Sequence, residues 1–532
     1  DLPAAARALV QGLAAFQRVE RDAGEHDAQR VSLFERLQET YCLLQSVLLG
    51  LGQPEWALGV AAQAKARALL YHLAAGSGEH RGEHDASSGT PLAPGSSYED
   101  VCEAWWREVQ ADARAEGDAG AARIVEYSFL FDDRLAIWVL SGSGELLGST
   151  TVPTSGLEGS AASSEGGGHT ILALIAEARA TMKVRGRDAM MREDPGNAVA
   201  EDARVEQAKN GEDARVERGK NGRDKLDAKI KREQAGLAVL YQHLLAPVAA
   251  HLEGLEGAAE VLIVPHKELS EVPWAALFDS QAGQYLIERH VLRVAPSLRV
   301  VRQAAGAERH AQTPDTHASE ERPGRSLVVV NPLPNRLGVR GELPDAETEA
   351  GLVVGLLTSV GAEVDALMRD AADKAAVLDK IQGAAWAHFA CHGDMDAKSL
   401  VLTKSSAGDP MSEPLAACPQ DHAMQSLTSS SSWMCGVCKK DMTENPRLRC
   451  DECDYDVCAA CVRRQRAKRA DLSMKEVQGR VKMGAGSTAV LSACKTFRGV
   501  IKAEGVMGLG RAFLFACVAA IVVSLWSVSA AS

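Results

Sequence analysis

The chain has 532 residues, 46% of them hydrophobic and 5% aromatic, with a formal net charge of −13. That length accommodates roughly two to four domains with real cores, and a mildly acidic balance without a basic stripe disfavours nucleic acid as a partner. Twelve cysteines with no visible signal peptide fit a reducing, cytoplasmic setting better than a disulfide framework. The sequence opens at Asp1 and closes at Ser532 just after an apolar run, and is expected to be a piece of a longer chain.

Residues 1–76 read as helical. Phe34 to Leu49 and Pro54 to Ala74 are apolar-periodic stretches separated by Gly50-Leu51-Gly52-Gln53-Pro54, a glycine stop followed by a proline start. Trp56-Ala57-Leu58-Gly59-Val60-Ala61, with Ala64, Ala66, Leu69 and Leu70, resembles the second half of a tetratricopeptide repeat (TPR). Such helix pairs bury their faces only by stacking; an ordinary helical hairpin docked on the next domain fits the pattern equally. A Gly/Ser/His/Pro-rich linker is expected over 77–97, then a helix to about Gly117.

Ile124 to Phe131 and Arg134 to Leu140 alternate as two strands around an Asp132-Asp133 turn. Residues 155–168 and 193–233 read as low-complexity insertions. The second contains a tandem repeat, 201–211 followed by 212–222, too polar to bury and assigned no activity. An amphipathic helix runs from Leu237 to the proline at 247. Strands near 261–265, 326–331, 386–390, 488–493 and 520–526 then alternate with helical patterns. The expected fold class is α/β, one doubly wound, mostly parallel sheet. Ala512 to Ala531 carries no charge, but it reads better as a helix end and a buried strand than as a membrane span.

Two strand ends carry chemistry. Val490-Leu491-Ser492-Ala493-Cys494 delivers a thiol, and Trp386-Ala387-His388-Phe389-Ala390-Cys391-His392-Gly393 delivers an imidazole followed by a glycine. Parallel α/β sheets place their reactive groups at the carboxyl ends of strands. A thiol and an imidazole there make a candidate nucleophile and base. His388 and Cys391 share the block but lack the position before glycine, and read as a buried histidine and a small core residue.

These blocks resemble the two signatures of a CHAT domain, a caspase- and separase-like cysteine peptidase fold. The resemblance extends to Val261 through Pro265, Pro273-Trp274-Ala275-Ala276-Leu277, Leu343-Pro344-Asp345-Ala346 through Glu349, and Val523-Ser524-Leu525-Trp526. It implies a CHAT domain over 98–532, with Cys494 as nucleophile and His392 as general acid/base. The backbone N–H groups of Gly393 and Cys494 would face the oxyanion. The chain departs from the family pattern at Lys495, where an acidic residue is typical, and at Cys517, where glycine is usual. Beyond Trp526 it lacks the usual acidic residues, so a preference for Arg or Lys substrates does not follow.

Between the two blocks lies Cys435-x2-Cys438-x11-Cys450-x2-Cys453-x4-Cys458-x2-Cys461. Cysteines two apart wrap one side of a tetrahedral ion, and two such knuckles complete it. The run resembles ZZ-type and related C1-like fingers, implying an inserted zinc finger over 415–468. In that cross-braced pattern Cys435, Cys438, Cys458 and Cys461 hold one Zn2+, while Cys450 and Cys453 begin a second. Cys418 and His422, upstream, are candidates to finish the second site. All-cysteine zinc is expected to be structural rather than catalytic.

The resulting expectation is a cysteine endopeptidase whose TPR-like helices and zinc finger recruit protein substrates or partners. The alternatives are an inactive CHAT scaffold and a ubiquitin- or degron-reading adaptor acting through the finger.

Overall fold

The computed structural model describes residues 1–22, 27–67, 69–70, 73, 96–114, 122–157, 169–180, 230–252, 259–303, 324–335, 337, 342–394, 398–403, 422, 424–428, 432–442, 446–458, 461–462, 470–484, 486–493, 496, 499–502, 505–516 and 518–525. Most of the linker, the bulk of both low-complexity insertions and the tandem repeat lie outside the described residues, as do Cys418, Cys494, Lys495, Cys517 and Trp526. The chain divides into two units. One is Asp1–Asp315 with Phe497–Met507 and Leu525–Ser529; the other is Thr316–Thr496 with Gly508–Ser524 and Ala530–Ser532.

The first unit opens with helices α1 (Leu2–Asp22), α2 (Asp27–Gly50), α3 (Pro54–Gln63) and, after the linker, α4 (Tyr98–Arg114). Gly52 takes the left-handed φ of 71° that the α2–α3 turn demands, and Pro54 sits in the first turn of α3. A Cβ at Gly59 would meet the Trp106 backbone nitrogen at 2.9 Å, so glycine lets α3 and α4 touch. The sequence pattern runs to Ala74; the helix breaks after Gln63, and helical residues return at Arg67, Leu69, Leu70 and Leu73. Ala66 turns left-handed, with φ 52°, and Lys65 is drawn into the interior. There its Nζ donates to Glu126 Oε1 at 2.8 Å, the Tyr127 carbonyl at 2.7 Å and the Val264 carbonyl at 3.3 Å. Three buried acceptors outweigh the continued helical pattern.

The sheet of this unit has five strands: β1 (Arg123–Phe129), β2 (Arg134–Ser141), β3 (Leu146–Pro153), β4 (Ala259–Val264) and β5 (His290–Val294). Their order is β3-β2-β1-β4-β5, antiparallel in the hairpins and parallel where β1 meets β4 and β4 meets β5. The period of two sorts side chains into two cores. Ile124, Ala136, Trp138 and Leu140 pack with the N-terminal helices. Val125, Tyr127, Leu135, Ile137 and Val139 face Ile171, Leu174, Leu240 and Leu244.

This corrects one expectation from the sequence. Val261 to Val264 is a strand, but it pairs with β1, Arg123 opposite Val261, not with the sheet that carries His392. Runs apolar on both faces look alike in sequence whichever sheet buries them.

The second unit holds a separate five-stranded sheet: β6 (Ser326–Val330), β7 (Val364–Met368), β8 (Trp386–Ala390), β12 (Thr488–Ser492) and β13 (Ala520–Val522). The short strands β9 to β11 lie between β8 and β12 in the chain: β9 (Gly393–Asp394), β10 (Ser399–Leu400) and β11 (Leu472–Ser473). The large sheet is ordered β13-β12-β8-β6-β7, and every pairing in it is parallel. Val328 and Val330 point to α5 (Pro344–Ser359), where Ala350 is buried against them. Leu327, Val329, Phe389 and Leu491 point the other way, to α6 (Lys374–Lys380), α7 (Met474–Arg480) and α8 (Leu509–Phe515). Helices on both faces of a parallel sheet define the doubly wound arrangement. The charge-free stretch near the end contains the last residues of helix α8 and strand β13. Among the described residues no helix is long and apolar enough to cross a membrane.

Candidate active site and metal centres

β8 and β12 lie side by side in the middle of the second sheet, paired from Trp386 opposite Thr488 to Ala390 opposite Ser492. His392 follows Ala390 by two residues, and position 494 follows Ser492 by two. The two strands therefore end at the same level of the carboxyl edge. The described residues stop at Ala493 and resume at Thr496, so the thiol of Cys494 lies outside them. His392 is half-buried, and its carbonyl accepts the Val401 N–H at 2.8 Å. Gly393 opens β9, opposite Leu400 of β10. β10 pairs in turn with β11, Leu400 opposite Leu472.

The neighbours on β8 serve packing. Cys391, just past β8, is buried in the core, and burial pushes its thiol well above the ordinary range. His388 is buried with Nε2 2.9 Å from Glu349 Oε1 on α5. Burial lowers its pKa, with Glu349 pulling in the opposite direction.

A polar network at the same edge escaped the sequence reading. Asn331, fully buried just after β6, is left-handed with φ 41°, and its N–H donates to the Ala390 carbonyl at 2.9 Å. Its side chain donates to Glu347 Oε1 at 2.7 Å and accepts the Leu343 N–H at 2.8 Å. Glu347 pairs with Arg369 at 2.7 Å; the hydrogen bonds from Asn331 and Arg369 hold its carboxyl below the usual glutamate range. One buried asparagine thus joins the ends of β6 and β8 to the start of α5. Its only signal in the sequence was an asparagine before a proline at a strand end.

The finger cysteines fall into two clusters. Cys435, Cys438, Cys458 and Cys461 have ligand atoms all within 4.8 Å of one another, as do His422, Cys450 and Cys453. Each cysteine-x2-cysteine pair lies at a turn or at the end of a strand hairpin. Strand Pro446–Cys450 pairs antiparallel with Tyr455–Cys458, and the left-handed Asp454 turns between them. Lys439, also left-handed, closes the first knuckle by donating its N–H to the Cys435 carbonyl at 2.8 Å. Burial alone would raise the Cys435 thiol, but backbone N–H groups of Cys438, Cys458 and Val437 outweigh it and bring it down to about 6. Cys461 is pushed up to about 12, by burial first and then by hydrogen bonds with Cys458, Cys438 and Cys435. Four soft donors at this spacing suit a tetrahedral ion with metal–sulfur bonds of about 2.3 Å.

The second cluster gives His422 its place. Nδ1 lies 3.1 Å from Cys453 Sγ and 3.9 Å from Cys450 Sγ, while Nε2 lies 3.3 Å from Glu452 Oε2. An imidazole with one nitrogen among thiols and the other on a carboxylate matches the usual outer support of a metal-binding histidine. The finger's own core is small, centred on Trp433, Val457 and Val462 beside the buried cysteines. Metal would therefore supply much of its stability.

A model of the CHAT domain matches residues 234–532, more than half of the sequence, and the chain belongs to that family. Tetratricopeptide repeat protein 28 of Homo sapiens is 29% identical over 305 residues, 56% of this chain and 11% of that protein. The Mus musculus protein of the same name is 28% identical over 305 residues. The chain thus spans about a tenth of the length of these curated relatives. Crystal structures of the Saccharomyces cerevisiae separase–securin complex at 3.0 and 2.6 Å superpose with TM-scores of 0.44 and 0.45. The identity is 8% in both, with 95% and 94% of this chain covered and 34% of the other.

Proposed function

We propose that this chain is a cysteine endopeptidase of the CHAT type, acting on protein substrates through a Cys494–His392 dyad. The observation that carries the reading is the register of β8 against β12, Ala390 opposite Ser492, with the two reactive residues each two positions further on. In this reading the His392 imidazole takes the thiol proton, leaving a thiolate to attack the peptide carbonyl. It then returns the proton to the departing amine. The N–H groups of Gly393 and Cys494 receive the negative charge that develops on the carbonyl oxygen, and the absence of a Cβ at Gly393 leaves room for the substrate.

The four-cysteine cluster holds Zn2+ in a structural role, and His422, Cys450 and Cys453 contribute to a second ion. The zinc finger and the TPR-like N-terminal helices recruit protein partners. A reducing, cytoplasmic compartment suits this chemistry, which requires a free thiol at position 494.

The test is iodoacetamide labelling of the purified chain, read by mass spectrometry. Selective alkylation of Cys494 that falls in His392→Ala is the expected result, followed by substrate profiling of wild type against Cys494→Ala. Labelling of Cys494 that is indifferent to His392 would instead assign the chain to the binding scaffolds.

A further inference from the structure

The end of the last strand contacts the chain on either side of the proposed nucleophile. Ser524 follows β13 by two residues. Its hydroxyl donates to the Ala493 carbonyl and accepts the Thr496 N–H at 3.4 Å. One oxygen thereby joins the residues immediately before position 494 and immediately after position 495. The contact is reciprocal, because the Ser524 N–H donates to Thr496 Oγ1 at 3.0 Å. Thr496 is buried, and its hydroxyl donates in turn to the Leu491 carbonyl at 3.3 Å, back in β12. β13 is fixed beside β12 by parallel pairing from Thr488 opposite Ala520 to Val490 opposite Val522. Ser524 thus lies two residues beyond a strand that is paired with β12.

From this geometry we propose that Ser524, with Thr496 as its partner, is the positioning residue for the Cys494 nucleophile. The inference rests on the peptidase reading and adds to it what holds the thiol in place. The hydrogen bonds of Ser524 hold Ala493 and Thr496, the residues on either side of the dipeptide Cys494-Lys495. A thiol and an imidazole favour the ion pair only while held in hydrogen-bonding reach, and small displacements of a reactive group cost large factors in rate. Once the hydroxyl is removed, Ala493 O and Thr496 N lose their shared partner, and position 494 loses the anchor on both of its sides.

The experiment compares Ser524→Ala, Ser524→Thr and wild type, measuring alkylation of Cys494 by iodoacetamide from pH 5 to 10. The alanine variant is expected to alkylate on the order of tenfold more slowly at pH 7, with its midpoint moved up toward that of an ordinary thiol, about 8.5. The threonine variant, which keeps the hydroxyl, should restore both values. A purely structural serine would leave the midpoint where it was. If Ser524→Ala does not fold by circular dichroism, Thr496→Val removes the reciprocal partner at nearly constant shape and carries the same comparison. A thiol that depends on His392 but ignores both substitutions overturns the role given to Ser524 and leaves the dyad standing. A wild-type Cys494 that titrates as an ordinary thiol, unmoved by His392→Ala, overturns both.

Discussion

Removing the Lys65 ammonium should expose how the first unit is held together. Lys65 and Glu126 are both buried, 2.8 Å apart, and the ammonium also serves the carbonyls of Tyr127 and Val264. Burial pulls the lysine pKa down and pushes the glutamate pKa up, and each partner offsets part of the other's shift. Lys65→Met leaves a buried carboxylate and two carbonyls without their donor, so a loss of about 3–5 kcal/mol is expected. The double variant Lys65→Met/Glu126→Leu replaces two charges with apolar volume. It should lie within about 2 kcal/mol of wild type, while Glu126→Leu alone costs about as much as Lys65→Met, so the coupling in the cycle is at least about 4 kcal/mol.

Because the chain has two units, the assay is amide exchange of β1 and β4 with urea rather than a global melt. The sign of the pH effect is diagnostic. With Lys65 gone, burial and, to a lesser extent, the Asp112 charge both raise the Glu126 pKa, so its folded value stands above its unfolded value. The stability of Lys65→Met is then greatest below about pH 4.5 and falls as pH rises. If Lys65→Met costs less than about 1 kcal/mol, or the cycle shows no coupling, the pair is not what ties α3 to the sheet.

His266 is buried and held well below the ordinary histidine range, by burial first and then by Lys65 and Lys267. Its contribution is therefore present above about pH 6.5 and lost as pH falls; His266→Gln should flatten that acid limb in an exchange experiment on β4. In the finger, Cys435→Ser is expected to lose one zinc per chain by elemental analysis and to unfold residues 433–462 locally. His422→Ala should lower metal content while leaving the four-cysteine ion in place; full metal content in both variants would remove the assignments.

Much of this molecule is legible before folding is considered. Short apolar runs in β1, β2, β8 and β12 announce strands, and the cysteine spacing announces clusters of metal-ligand type, because burial and ligand geometry act over a few residues. The block around His392 likewise reads as a strand ending in a histidine and a glycine, and β8 ends two residues before His392.

What sequence reading could not supply is which distant segments meet. Val261 to Val264 joins β1 rather than the sheet of His392, and α3 stops early because Lys65 finds Glu126, 61 positions away. His422 finds Cys453 across 31 positions, and Ser524 finds Thr496 across 28. Local chemistry determines which residues want to be buried or to bind a metal. Only the packed chain decides their partners, because strand order and buried hydrogen bonds depend on segments whose separation leaves no period in the sequence.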